Sequence, residues 1–299
     1  MTSAEMLTLE RDGQRAVVAP GHGGALASYS AEIGGGRVDL LRETGAVTPD
    51  RSILDFASFP LVPYSSRIRD GRFSFGGRKV QLPLNFGDHP HSIHGHGWQR
   101  PWTVVDKGAD AVTLAYRHAA DHWPWAYEAR QSIRLDGGGL ALELAVVNRA
   151  DSLMPVGLGF HPYFPRAGEA RLSAKVAAVW RMDGEVMPVA REPLPADWKL
   201  GDGMALAGRD LDNCFDGWDR SARIEWPKTG VALDLAASEP FGNLVVYAPA
   251  GQGFFCVEPV SNITDAFNLA AAGHTATGMR TLEPSETLAG RMRLVPRAL

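Results

Sequence analysis

Glycine-bearing tight turns, set between short runs of alternating or apolar residues, recur along this chain and constrain its fold more than any other feature. Met6–Leu9 and Ala16–Ala19 flank Asp12-Gly13, a pair that readily supplies the positive φ angles of a two-residue hairpin. Ala25–Ala31 and Arg37–Leu41 flank Gly34-Gly35-Gly36, and Arg72–Phe75 and Lys79–Leu82 flank Gly76-Gly77. In the segment 132–148, Leu140, Leu142 and Leu144 alternate with Ala141, Glu143 and Ala145 beyond a Gly-rich turn. Arg223–Trp226 with Val231–Leu235, and Asn243–Tyr247 with Phe254–Glu258, repeat the pattern, and Leu288 with Gly290–Val295 forms the last clear strand. No segment carries a sustained helical period with caps. Asp265–Ala272 reads as a short helix or a loop. The fold expected from this spacing is all-β, a large antiparallel sandwich or barrel, with catalytic groups on loops or on one open sheet face.

The 299 residues, 45% of them hydrophobic, suffice to bury a large core. No linker, low-complexity run or internal repeat divides the chain, so one domain over residues 1–299 is expected. A net charge of −4 without Lys/Arg runs argues against nucleic acid or an acidic membrane surface as partner. Cys214 and Cys256, the only cysteines, are too few for a disulfide framework or a thiolate metal cluster. The segment MTSAEMLTLERDG lacks the apolar stretch of a signal peptide, and no run of about eighteen apolar residues occurs. A soluble, cytoplasmic protein, monomeric or homodimeric, is the expectation.

Chemistry concentrates in a few stretches. Asn85–Trp102 holds His89, His91, His94 and His96, spaced two or three residues apart with Gly95 and Gly97 between them. Imidazoles so placed suit metal ligation, proton transfer or hydrogen bonding to a polar ligand, or merely a His-rich surface loop. Trp98 and Trp102 offer flat apolar walls of the kind on which a sugar ring rests. Arg67 precedes a turn, where its fork of donors either clamps hydroxyl groups or pairs with Asp70. His161 lies in an aromatic, proline-bracketed turn, where it is either a satisfied core histidine or a group of movable pKa. Glu258 follows four apolar residues at a strand end, and carboxylates are rarely buried without a partner or a task. Three other patterns fail: the glycine spacing of Gly21–Gly24 is wrong for a dinucleotide loop, Phe215 and Ser221 break a calcium-loop pattern in 210–219, and no Gly-x-Ser-x-Gly elbow exists.

The order Asn85, His94-Gly95, Trp102, His161-Pro162-Tyr163-Phe164, Asp212-Asn213-Cys214-Phe215 and Glu258-Pro259 resembles the aldose 1-epimerase (galactose mutarotase) family. Ser66-Arg67-Ile68 and Gly71-Arg72-Phe73 extend the resemblance over nearly the whole chain. It implies a large antiparallel β-sandwich of the galactose mutarotase-like supersandwich kind, no metal and no cofactor. The implied activity is interconversion of the α and β anomers of a free monosaccharide. By position, Glu258 is similar to the family's general base, His161 to its general acid and His94 to its second active-site histidine. Arg67 and Asp212 match hydroxyl-binding positions, and Tyr163, Trp98 and Trp102 join them as expected substrate contacts. Three positions depart from the commoner pattern: His96 stands where a second glycine is usual, Phe160 where Asn is frequent, and Val260 where Gln is frequent. The His94 to Trp102 spacing is also shorter than in many galactose-active members. These departures are expected to alter the pocket around an intact acid–base pair.

Mutarotation requires one proton to leave the C1 hydroxyl and another to reach the ring oxygen, which a carboxylate and an imidazole on opposite sides of the ring accomplish. A modest upward push on His161 from the charge of Glu258 is expected to keep it protonated at neutral pH. Competing readings are a non-catalytic sugar-binding domain and a cupin-type metal enzyme using His89, His91, His94 or His96. Within the family, a sugar with an anionic group at C6 (phosphate or sulfonate) is the alternative substrate, with Arg67, Arg69, Arg72 and Arg100 as possible partners.

Overall fold

The Asp12-Gly13 turn forms as its sequence predicts, with φ of 47° and 75°, and joins strands Leu7–Arg11 and Gln14–Ala19. Ala25–Ile33 and Gly36–Asp39 complete an antiparallel four-stranded sheet. This is a computed structural model, and it describes residues 6–167 and 169–299. The hairpin Tyr127–Asp136/Gly139–Asn148 turns at the expected glycines. Leu140, Leu142, Leu144 and Val146 point inward from it, while Ala141, Glu143 and Ala145 are partly exposed. Each such buried leucine contributes about 1.5–3 kcal/mol of apolar transfer.

Two large antiparallel sheets dominate the molecule. A nine-stranded sheet runs from the exposed edge Thr103–Lys107 through the long hairpin to Thr287–Ala298, Val231–Ala237 and Ser221–Trp226, ending at Met204–Ala205. The C-terminal strand is longer than its sequence signal and lies in mid-sheet, pairing Gly139–Asn148 on one side and Val231–Ala237 on the other. The N-terminal sheet contacts the nine-stranded one. The second large sheet orders Pro188–Glu192, Ala178–Met182, Leu211–Asp216, Asn243–Ala248, Phe254–Val260, Gly159–Phe160 and Pro60–Leu61, with Tyr163–Pro165 also pairing the Phe254 strand. The stacked sheets make an antiparallel β-sandwich, as expected.

The acidic segment 210–219, which has no sequence signature of a strand, contributes Leu211–Asp216 to this second sheet. It tolerates burial because Asp216 receives two hydrogen bonds from Arg191, at 2.6 and 2.8 Å, and one from Trp180 Nε1 at 3.0 Å. Asp265–Ala272 resolves into the six-residue α-helix Ala266–Ala271. No described helix is long and apolar enough to cross a membrane.

One close approach fixes the histidine loop. Gly95 forms a parallel bridge with Val62, and at φ +70° a Cβ there would lie 2.4 Å from both Val62 O and Pro63 Cδ. Gly97 meets the same strand, its Cβ position 2.3 Å from Val62 Cγ1. These glycines therefore let the loop lie directly on the strand beneath it. Gly95→Ala should cost roughly 3 kcal/mol or more, combining left-handed strain with overpacking. Gly76→Ala, also at positive φ (56°) but with open space around it, should lose only about 1–2 kcal/mol. Chemical denaturation of both variants checks this, and equal losses would show that the close approach carries no energy.

Candidate active site

Alternation along the second sheet brings Asp212, Val245, Tyr247 and Glu258 onto one face, since Asp212 pairs Tyr247 and Val245 pairs Glu258 across adjacent strands. Loops from the first hundred residues, carrying Arg42, Arg67, His94 and Trp98, close this face into a cavity of about 300 Å³. Glu258, His161, His94, Arg67, Asp212, Tyr163 and Trp98 all line it. In sequence they are scattered over 192 positions (67 to 258), and the fold gathers them.

Glu258 and His161 form the floor. The carboxylate Oε1 lies 3.4 Å from His161 Nε2, with side-chain exposures of 3% and 9%. Burial pushes Glu258 well above its usual range, reinforced by the charge of Asp212 and opposed by Arg67. Burial also lowers His161 to about 3, helped by the positive charges of Arg42 and Arg67. The expectation that Glu258 holds His161 protonated is therefore corrected. Both groups lose water, and for a cation in an apolar pocket desolvation outweighs attraction to a carboxyl group that is itself driven neutral. The pair carries one proton over the window between these two displaced values, with the carboxyl group as its resting place.

His94 is oriented by the backbone. Its Nδ1 accepts the Ser66 amide at 3.0 Å, and its own amide donates to Ser66 O at 2.9 Å. Both residues sit at left-handed φ, 60° for Ser66 and 59° for His94, a strain of about 1–3 kcal/mol each that this reciprocal pairing maintains. Because Nδ1 is an acceptor, the ring proton belongs on Nε2. Burial holds the imidazole well below its ordinary value, with the charges on His161 and Arg67 adding to the effect. His94 is thus a fixed neutral donor, its ring 5.4 Å from that of His161 at 86°.

Arg67 and Asp212 pair at 3.4 Å, and Arg67 Nε donates to His89 Nε2 at 3.4 Å. Tyr163 stacks on His161 at 4.7 Å and 12°. Trp98 stands edge-on to His94, with its indole N–H used by Gly95 O at 3.1 Å. Trp102 does not reach the cavity, which corrects its expected place as a sugar-stacking wall. It is buried against Tyr116 and Gly24, and its N–H donates to Gly97 O at 2.8 Å, so it anchors the histidine loop instead.

The four clustered histidines diverge. His91 is buried, accepting from the Asp70 amide at 3.1 Å, and His96 stacks on His118 at 4.4 Å outside the cavity. Among them only His94 lines the pocket, so they do not form the shared metal cage of the cupin-type reading. The three departures also lie off the lining: His96 faces His118, Phe160 packs on Phe241, and Val260 is buried beside Gly159. They change the framework rather than the surface a ligand meets.

Arg42 carried no sequence signal, yet it lines the cavity with its guanidinium 4.0 Å from the Tyr163 ring and 4.7 Å from that of Phe254. Asn262 was also missed. Its side chain bonds the backbone of Ser65 twice, at 3.1 and 3.0 Å, stitching the Arg67 segment to the end of the Glu258 strand. Ser66 Oγ and Thr264 Oγ1, 2.7 Å apart, repeat that link.

The family model described as aldose 1-epimerase matches residues 5–295. The uncharacterized protein YphB of Escherichia coli (strain K12) is 30% identical over 252 residues, covering 80% of this chain and 83% of its own. Galactose mutarotase of Mus musculus is 30% identical over 141 residues, 46% of this chain and 38% of that protein. A galactose mutarotase-like protein from Clostridium acetobutylicum superposes with a TM-score of 0.87 at 22% identity, covering 98% of this chain and 95% of that one.

The neutral, Nε2-protonated state of His94 is directly measurable. Long-range proton–nitrogen correlation spectra should show that tautomer unchanged from about pH 5 to about pH 8, the range in which an ordinary histidine titrates. An imidazole at position 94 that titrates near 6.5 would contradict the backbone-fixed geometry.

Proposed function

The chain belongs to the aldose 1-epimerase family, and on that premise we propose that it interconverts the α and β anomers of a free monosaccharide. The observation that carries the reading is the buried Glu258–His161 pair, 3.4 Å apart on the floor of a sugar-sized cavity. In the proposed reaction Glu258 is the base and His161 the acid. Shifting their shared proton from carboxyl to imidazole creates carboxylate and imidazolium together, with no exchange with solvent. The carboxylate then takes the C1 hydroxyl proton. The C1–ring oxygen bond breaks with its electron pair going to the ring oxygen, which takes the imidazolium proton, and C1 becomes an aldehyde. Rotation about C1–C2 and the same steps in reverse close the ring on its other face.

His94 Nε2–H supplies a neutral hydrogen bond to oxygen without competing for the proton. Arg67 and Asp212, already paired, offer donors and acceptors to ring hydroxyls at little reorganisation cost. Tyr163 and Trp98 wall the site, and no cofactor or metal enters the scheme. A second reading, that the sugar carries an anionic group, draws on Arg42. Arg69 pairs with Asp183 and Asp265, Arg72 bonds Gln81, and neither they nor Arg100 line the cavity. Arg42 does line it. Its guanidinium donates to the Leu54 and Phe56 carbonyls, and its Nε is buried without a partner. A carboxylate, phosphate or sulfonate on the substrate would give that cation a counter-ion.

Exchange spectroscopy on equilibrated sugars, neutral and anionic, tests the activity directly after subtraction of the uncatalysed rate. Glu258→Gln should lose at least about 10²-fold in kcat. Near-normal exchange by that folded variant would remove the mechanism, and sugar binding without exchange by the parent would make the protein a binding module. Activity should persist after exhaustive EDTA treatment.

The pH profile follows from the displaced pair. kcat/KM should fall on the alkaline side as Glu258 loses the shared proton above its raised value. On the acid side it should fall only as His161 gains a second proton near about 3. Glu258→Gln should flatten the alkaline limb. Arg67→Ala should chiefly lower kcat/KM, with turnover recovered at high sugar concentration. A variant at Arg67 as inactive as Glu258→Gln would overturn this division of roles.

A further inference from the structure

A second chemistry is built into the floor beneath the acid–base pair. Cys256 precedes Glu258 by two residues on the same strand, so both side chains leave the same face of the sheet. One donor atom each from His161, Cys256 and Glu258 lies within 4.8 Å of the others, and all three residues are buried. His161 Nδ1 is buried without a hydrogen-bond partner. An imidazole, a thiol and a carboxyl group form a mixed nitrogen, sulfur and oxygen donor set suited to zinc, with the cavity as the open fourth position. We propose that His161, Cys256 and Glu258 bind Zn²⁺, and that the bound ion switches the protein's anomer exchange off.

The stoichiometry explains the switch. Binding replaces the thiol proton of Cys256 and the carboxyl proton of Glu258 with bonds to the metal and releases both to solvent, without any redox change. The two anionic ligands neutralise the ion, and the shared proton needed for ring opening is gone. Hard cations such as Mg²⁺ and Ca²⁺ prefer all-oxygen shells and should not substitute. The other described group of possible ligands, His96, His118 and Asp121, is gathered as closely, but His118 Nε2 is already engaged with Trp123 O at 3.2 Å. Its two imidazoles are stacked at 10°, so their in-plane lone pairs run side by side rather than toward one point.

The switch rests on the proposed epimerase activity, while the site itself is read independently of it. Full-length, metal-free protein is titrated with ZnSO₄ by calorimetry and with CoCl₂ by absorbance, alongside Cys256→Ser, Cys256→Ala and the control Cys214→Ser. The parent and Cys214→Ser should bind one Zn²⁺, and their Co²⁺ complexes should show thiolate-to-metal charge transfer. Both Cys256 variants should lose that band, weaken Zn²⁺ by at least about 10²-fold, and keep parental anomer exchange that Zn²⁺ no longer inhibits. Unchanged Zn²⁺ affinity in the folded Cys256 variants, or a Co²⁺ complex without the thiolate band, overturns the site. Undiminished exchange in the Zn²⁺-saturated parent overturns the switch. A Cys256-dependent Zn²⁺ site in a protein without exchange activity leaves the site standing and removes the epimerase reading instead.

Discussion

A carboxyl group and an imidazole taken out of water together, sharing one proton, set the terms for everything else in this structure. Moving either charged form into an apolar pocket is costly unless it is paired and hydrogen-bonded. The fold accepts Glu258 at 3% exposure because the pair can rest as neutral acid and neutral base. Arg67 and Asp212 stand close enough to influence the pair, and as an ion pair themselves they add little net charge. The same desolvation that holds the resting pair neutral makes a proton shift within it responsive to any polar group that enters the cavity.

Such a pair functions only if the wall opposite is fixed. Glu258 rides on a central strand, whereas Arg67 lies in the two-residue strand Arg67–Ile68, paired only with Ser92–Ile93, and His94 in the loop that follows. Asn262 and Thr264, just past the end of the Glu258 strand, hold the Ser65–Ser66 segment through bonds spanning 197 and 198 positions of sequence. Ser66 in turn holds His94 in its left-handed conformation. Gly95 and Gly97 let that loop touch the strand at Val62, and the Trp98 and Trp102 indoles tie down its carbonyls. The strain at positions 66 and 94 is thereby balanced by contacts on every side.

The parts legible in the sequence are those with local causes. Asp12-Gly13 and Gly76-Gly77 announce their hairpins because positive φ is a property of a residue and its neighbour. Leu211–Asp216 escaped notice because its acceptance into the sheet depends on Arg191 and Trp180, which lie 25 and 36 residues from Asp216. The resemblance marked Glu258, His161, His94, Arg67 and Asp212, and the fold brings all five to one cavity. Trp102 was misplaced for a physical reason. An indole with an N–H to satisfy serves a loop carbonyl as readily as a ligand, and spacing alone does not distinguish the two uses.

His96, Phe160 and Val260, at which the chain departs from the commoner family pattern, contact protein rather than the cavity. They are therefore poor guides to the sugar. Arg42, Leu54 and Asp55 do line the cavity, yet none of them belongs to a motif. In the proposed reaction the sheet floor would act on what is common to any hemiacetal, since every aldose ring presents the same C1 hydroxyl and ring oxygen. The loops would then meet the substituents that distinguish one aldose from another. Arg42 is the most consequential of these residues, because burial lowers its affinity for its own proton and a nearby anion would reverse that effect. A neutral sugar would leave that charge to the aromatic faces of Tyr163 and Phe254, whereas an anionic one would pair with it. On the proposed reading, discrimination between the two classes turns on one half-buried cation, whose charge also helps lower His161.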